Sequence, residues 1–234
     1  MNTSECKNTD NSFPKRLCNI KKCPSLLFFR GNIDIANDMP CVAIIGSREA
    51  SENSLKTAFE FGRIASEEGF IVVNGLAMGC DTSALKGALS VGGKCIVLLP
   101  GGLDQIYPKA NIDLAGEILD KGGCLVSEYP DGTRPLRYTF VERDRLVTGI
   151  CSGVIAIETA EKGGTMHTVN FARQQSRLLA CYYSKMHEIA SGNRLIVDKG
   201  FASPLDSEGS LKNYLQLIKA SESTTYEQLS LPFL

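Results

Sequence analysis

Apolar residues in this chain come in short closed runs, set between longer stretches where they recur every three or four positions. Residues 41–45 are continuously apolar and end at Gly46, which reads as a parallel strand buried on both faces. Over residues 53–68, Leu55, Ala58, Phe59, Gly62 and Ala65 recur at helical spacing, and Gly69 supplies a stop. The same alternation continues. Strands are expected at 70–73, 95–99, 124–126, 154–157 and 178–182. Helices are expected at 82–91, with Asp81 as N-cap, around 114–119, at 168–175 and around 211–218. Strands alternating with helices predict βαβ units: an α/β, extended Rossmann-like fold with a mostly parallel sheet and helices on both faces. Residues 1–22 show no period and read as a polar N-terminal segment. Residues 23–220 form the domain, and residues 221–234 form a flexible polar tail.

Composition narrows the class. At 234 residues, 43% hydrophobic and 22% charged, the chain can build a sizeable core. A formal net charge of -1 excludes a strongly basic nucleic-acid protein, so any such contact must come from a local patch. The nine cysteines form no CxxC pair, are odd in number and fall mostly in apolar runs. They read as reduced, mostly buried thiols of a cytoplasmic protein, with no metal site. No signal peptide or membrane span is expected.

In an open parallel sheet, ligands bind at the loops leaving the carboxyl ends of the strands, and the unusual motifs fall at such loops. Gly46-Ser47-Arg48 follows the first buried strand. There glycine permits close backbone approach and Arg48 offers a phosphate-matching fork; an ordinary turn with a solvated arginine is the alternative. Residues 74–81 hold Gly75 and Gly79 before Asp81, a structured turn. Pro100-Gly101-Gly102 supplies amide donors, and Tyr107 a face for a base or sugar. Arg143 and Arg145, beside Tyr138 and Phe140, suggest a phosphate grip, with one of the two arginines in a structural ion pair as the alternative. Lys162-Gly163-Gly164-Thr165 offers a cation, and Thr165 caps a helix whose N-terminus faces an anion.

Taken together, GSR, GLAxGxD, GGLDxIYP, SEYPxGTxPLRYxF and RxRL, in this order, resemble the DNA-processing protein A (Smf, or DprA) family from about Pro24 to Tyr182 and on toward Leu217. The resemblance implies an extended Rossmann domain that binds single-stranded DNA, forms a homodimer and helps load a RecA-type recombinase in DNA recombination during natural transformation. It places Gly46, Ser47, Arg48, Arg143, Arg145 and Lys162 near the DNA-binding pocket. The chain departs from the family's FPxRNR pattern with Phe140-Val141-Glu142-Arg143-Asp144-Arg145, which adds two carboxylates, and its Ser-Gly-Ser loop reads Gly163-Gly164-Thr165. The helical N-terminal domain and the winged helix of many members are not expected here.

No catalytic residue, cofactor or metal is expected. A LOG-type nucleotide phosphoribohydrolase is the enzymatic alternative, because Pro100-Gly101-Gly102 resembles its PGG. Leu103-Asp104 then stands where that group continues with Gly-Thr, and the following glutamate is missing. A sensor of a free nucleotide is a third reading. His167 lies just inside a helix near Lys162, a ligand contact or a surface imidazole. At the C-terminus, Gln228, Leu229, Leu231 and Phe233 resemble the short motif by which bacterial proteins dock on the sliding clamp, with a chance apolar tail as the alternative.

Overall fold

A computed structural model describes residues 2–230, with side chains through Glu222. The chain runs β1 (Ser4–Lys7), β2 (Leu26–Gly31), α1 (Ile35–Asp38), β3 (Cys41–Ile45), α2 (Glu52–Glu67), β4 (Ile71–Asn74), α3 (Cys80–Ser90), β5 (Cys95–Leu99), α4 (Ile112–Asp120), β6 (Cys124–Ser127), α5 (Arg137–Ile150), β7 (Gly153–Ala156), α6 (Gly164–Gln174), β8 (Leu178–Tyr182), α7 (Ser191–Asp198), β9 (Ser203–Leu205) and α8 (Glu208–Ser230). One sheet orders them β1-β2-β6-β5-β4-β3-β7-β8-β9. The six pairings from β6 to β9 are parallel, and β1 and β2 add an antiparallel edge.

Alternate strand residues feed two cores, because successive side chains point to opposite faces. Cys41, Ala43 and Ile45 join Leu146, Val147 and Ile150 of α5 and Val169 of α6 on one face. Val42 and Ile44 join Phe61, Leu85, Ile118 and Leu215 from α2, α3, α4 and α8 on the other. Helices therefore cover both faces, as the alternation of elements requires. Close crossing of α2 and α3 depends on missing side chains: a Cβ at Gly62 would run into the Ala84 carbonyl, and one at Gly87 into that of Phe59.

Three sequence expectations are corrected here, and one helix is added. Residues 1–22 are part of the domain: β1 pairs with β2, and Cys6, Phe13, Leu17 and Ile20 are buried. A four-residue strand with one inward side chain carries no detectable period. Residues 137–150, which carry the RxRL motif, form a helix that no hydrophobic period announces. Asp81 does not cap α3; Gly79 holds that position with φ 80°, and Asp81 lies inside the first turn. Finally, residues 221–230 continue α8 rather than forming a flexible linker. They contain no glycine or proline to stop it, and Glu222 is anchored by Arg16 at 2.6 Å. Of the docking motif, Gln228 and Leu229 fall on this helical backbone, while Leu231 and Phe233 lie outside the described residues.

All nine cysteines are free thiols, seven of them buried. No described helix is long and apolar enough to cross a membrane.

Candidate nucleic-acid interface

The chain leaves β3 for β4 in one direction along the sheet, and β7 then lies on the other side of β3. Loops after β3 and β7 thus part at a topological switch point, where such sheets open a crevice. A cleft of about 700 Å³ lies there. It is lined from the β3 loop by Gly46, Ser47 and Arg48, from the β4 loop by Gly75 and Asp81, and from the β7 loop by Lys162, Gly163, Gly164 and Thr165. On its other side α5 contributes Arg137, Phe140, Arg143 and Asp144.

The loops are rigid because their polar groups are spent on each other. Ser47 N–H donates to the Glu158 carbonyl at 2.8 Å, and the Ser51 amide and hydroxyl donate to the Glu158 carboxylate at 3.0 and 2.8 Å. Asn74 donates to the carbonyls of Ile44 and Asp81, at 3.2 and 3.0 Å, and accepts from Leu76 N–H at 3.0 Å. Asn193 at the start of α7 accepts from Thr159 N–H at 2.9 Å and donates to Ile157 and Tyr182 at 2.8 and 2.7 Å. Asn74 opens the 74–81 motif, whereas no spacing in the sequence marks Asn193.

Glycines at 46 and 75 serve packing between the loops. A Cβ at Gly46 would stand 2.6 Å from the Cys80 sulfur, and one at Gly75 would overlap the Arg143 guanidinium. Gly163 is different. Its φ of 138° is glycine's territory, and a Cβ there or at Gly164 would meet nothing within 4 Å. The space before α6 is open. Thr165 does not cap that helix: Gly163 does, with no side-chain acceptor, because the chain enters the helix two residues earlier than Thr165. Among the described residues the amides of Gly164, Thr165 and Met166 donate to no acceptor, which leaves the positive end of α6 facing the cleft.

The floor is a buried charge cluster. Arg143, 6% exposed, donates to the Leu98 carbonyl at 2.7 Å and to Asp144 at 3.1 Å. Asp81, also buried, accepts from the Gly75 and Ala77 amides at 3.0 and 3.3 Å. Burial pushes its carboxyl up to about 6, against the opposing pull of Arg143 and the two amides. Burial also raises Asp144, again opposed by Arg143. Arg143 is thus ion-paired with Asp144, and its charge acts on Asp81, whose hydrogen bonds come from the two amides.

The rim is cationic and aromatic. Arg48, Arg137 and Lys162 are exposed, and none pairs with a carboxylate among the described residues. Arg48 lies 5.6 Å from the centroid of the Phe140 ring, and Tyr107, 46% exposed, packs edge-on against Phe140 at 5.4 Å. Arg137 is the arginine of the PLRYxF motif, six positions before Arg143; the helix brings it to the rim. His167 is exposed and also lines the cleft.

Three expected binding residues lie outside. Arg145 points away from the cleft and is held by Glu128 at 2.5 Å and Glu142 at 3.2 Å, since two residues on a helix are about 200° apart. Both arginines of the segment thus carry ion pairs. Gly101 and Gly102 do not line the cleft either. The Gly102 amide donates to the Thr133 carbonyl at 2.9 Å, and the next two amides donate to Asp131 at 3.0 and 3.1 Å, so this loop is locked onto the segment after β6.

A mostly parallel sheet covered by helices on both faces, with uncapped amides and exposed cations at its switch point, defines a Rossmann-like α/β domain. The sequence model of the family described as DNA recombination-mediator protein A matches residues 6–216, and the chain belongs to that family, the DprA/Smf proteins. It is 34% identical over 192 residues to the DNA processing protein DprA of Streptococcus pneumoniae, covering 82% of this chain and 67% of that one. It is 34% identical over 165 residues to Protein Smf of Escherichia coli, covering 70% of this chain and 44% of that one. The chain thus spans two thirds of one curated relative and less than half of the other.

Among solved structures, DNA processing protein A of Streptococcus pneumoniae superposes with a TM-score of 0.82 at 31% identity, over 91% of this chain and 74% of that chain. DNA processing protein A of Helicobacter pylori, whose structure gives insight into its single-stranded DNA binding mode, superposes at 0.81 and 27% identity, over 94% and 97%. The molybdenum cofactor carrier protein of Chlamydomonas reinhardtii, at 18% identity and a TM-score of 0.52, shares the fold alone.

Proposed function

We propose that this chain grips the phosphate backbone of single-stranded DNA in the switch-point cleft and acts as a binding protein rather than an enzyme. In this reading it is a cytoplasmic homodimer that assists recombination by loading a RecA-type recombinase. The observation that carries the reading is the convergence of Arg48, Arg137, Lys162 and the open N-terminus of α6 on one cleft, whose floor carboxylates are offset by Arg143. Phosphate contacts from arginine, lysine and helix amides position a backbone without reading sequence. The exposed Tyr107 and the Phe140 beside it supply π-faces that only unpaired bases can reach. The family and the Helicobacter pylori relative support the same ligand.

The deciding measurement is fluorescence anisotropy with a single-stranded oligonucleotide and its duplex across a salt series. Tighter single-strand binding that weakens with salt is expected. Equal affinity for duplex, or none for either, overturns the reading. A nucleoside monophosphate added as competitor separates the nucleotide-sensor alternative, and release of ribose 5-phosphate from it would establish the phosphoribohydrolase instead. The locking of Gly101 and Gly102 away from the cleft speaks against that enzyme.

The C-terminal residues Gln228, Leu229, Leu231 and Phe233 are proposed to dock on the sliding clamp through a few apolar anchors. Deleting residues 228–234 is expected to abolish clamp pull-down and leave DNA affinity unchanged. Clamp binding that is absent from the full chain, or that survives the deletion, removes the tail from the function.

A further inference from the structure

The floor of the cleft holds two carboxylates and one guanidinium. Asp144 takes the guanidinium: Arg143 Nε donates to it at 3.1 Å, while Arg143 Nη1 is spent on the Leu98 carbonyl at 2.7 Å. Asp81 forms no ion pair among the described residues. Its donors are the amides of Gly75 and Ala77, at 3.0 and 3.3 Å, and both reach Oδ2. Its Oδ1 accepts no hydrogen bond among the described residues. Asp81 is 5% exposed, yet it lines the same cleft as Arg48, Lys162 and the open end of α6. A carboxylate without a cation of its own therefore faces the space where a phosphate would be held.

Two negative charges in a poorly solvated site repel, and water and salt screen them weakly there. A proton on Oδ1 removes that repulsion. The other charged and titratable groups around the cleft are differently placed. Arg48, Arg137 and Lys162 are rim cations, and Glu49 is exposed to screening solvent. The Glu158 carboxylate is held by the Ser51 amide and hydroxyl at 3.0 and 2.8 Å. Burial pushes the Cys80 thiol up to about 12, so it stays protonated. His167, exposed on α6, is the second lining group whose chemistry suits proton uptake near neutrality, but water surrounds it.

Resting on the assignment of this cleft to single-stranded DNA, we propose that the strand binds together with a proton, which Asp81 takes from solvent as the phosphate seats. The free chain is close to accepting it. Burial already pushes the Asp81 carboxyl up to about 6, against Arg143 and the two amides. A phosphate anion in the cleft pushes it higher still. The complex then keeps the proton to a higher pH than the free chain does. Affinity therefore rises as pH falls toward about 6, and levels off below that, where the free chain carries the proton too.

The test is anisotropy at constant ionic strength with oligothymidylate that lacks a terminal phosphate, so that no group of the ligand titrates between about pH 5.5 and 8. Affinity is expected to rise as pH falls from about 8 to about 6, by at most about tenfold per unit, the limit for one linked proton. Asp81→Asn fixes the neutral form. It should bind more tightly than wild type at about pH 8 and lose the slope, whereas His167→Gln should keep most of it. Calorimetry of the wild-type chain at about pH 7, in buffers of different ionisation enthalpy, counts the protons taken up without any variant. A flat wild-type profile, a slope that survives Asp81→Asn or departs with His167→Gln, or binding without proton uptake would each overturn the proposal and leave single-strand binding standing. Absence of binding at every pH would remove the reading of the cleft, and the proposal with it.

Discussion

The guanidinium of Arg143 occupies the space where a side chain at Gly75 would lie, so that α5 and the loop after β4 close on one another at the floor of the cleft. From there Arg143 reaches the Leu98 carbonyl at the end of β5. One side chain thereby ties α5 to the ends of β4 and β5, pairs with Asp144 and acts by its charge on Asp81.

Gly75→Ala is expected to destabilise the fold by about 1–3 kcal/mol, the range for a side chain forced into filled space. Arg143→Ala should cost more, about 3–5 kcal/mol, because it leaves buried carboxylates without their cation. Urea denaturation of both variants checks this ordering. Arg143→Ala no worse than a surface substitution would mean the floor is not held by charge.

Stability should also depend on pH through Asp81. The carboxyl's ordinary value is 3.8, and in the folded chain it is about 6. Between these values the folded state keeps a proton that the unfolded chain has lost, so this group's contribution falls as pH rises from about 4 to about 6. At about 1.4 kcal/mol per unit, the difference in stability between wild type and Asp81→Asn should shift by about 3 kcal/mol across that window. Asp144 is raised in the same direction, so comparison with the variant, which retains Asp144, isolates Asp81. A difference that stays flat from pH 4 to 7 would show that Asp81 is ordinary in the fold.

Arg48→Ala, Arg137→Ala and Lys162→Ala should each weaken single-strand binding about tenfold, or ~1.4 kcal/mol, with little loss of stability. Each phosphate contact removed should lower the slope of log affinity against log salt by about 0.7. A variant that loses affinity with the slope unchanged would assign its residue to base contacts rather than phosphate.

Arg145→Ala is expected to behave in the opposite way. Its partners Glu128 and Glu142 lie away from the cleft, so DNA affinity should stay within about twofold while stability falls by about 1–3 kcal/mol. Anisotropy and urea titration on the same preparation separate the two effects.

The buried strands were legible in the sequence to within a residue, since a continuous run such as Cys41-Val42-Ala43-Ile44-Ile45 has no other stable place than a sheet covered on both faces. From their alternation with helices, the loops at Arg48 and Lys162 could be placed at one sheet edge. Helix α5 was hidden because its buried stripe includes Thr139, Arg143 and Thr148, residues that read as polar until their partners are known. β1 was hidden because only Cys6 points inward.

What the sequence determined by itself was the buried strands, the Gly-rich loops that follow them and the family, because hydrophobic period and motif spacing are local properties of the chain. Only the tertiary structure decided which arginine faces the cleft. Arg143 and Arg145 are chemically alike and two residues apart, and their roles diverge because a helix turns them in opposite directions, one over Gly75 and one toward Glu128.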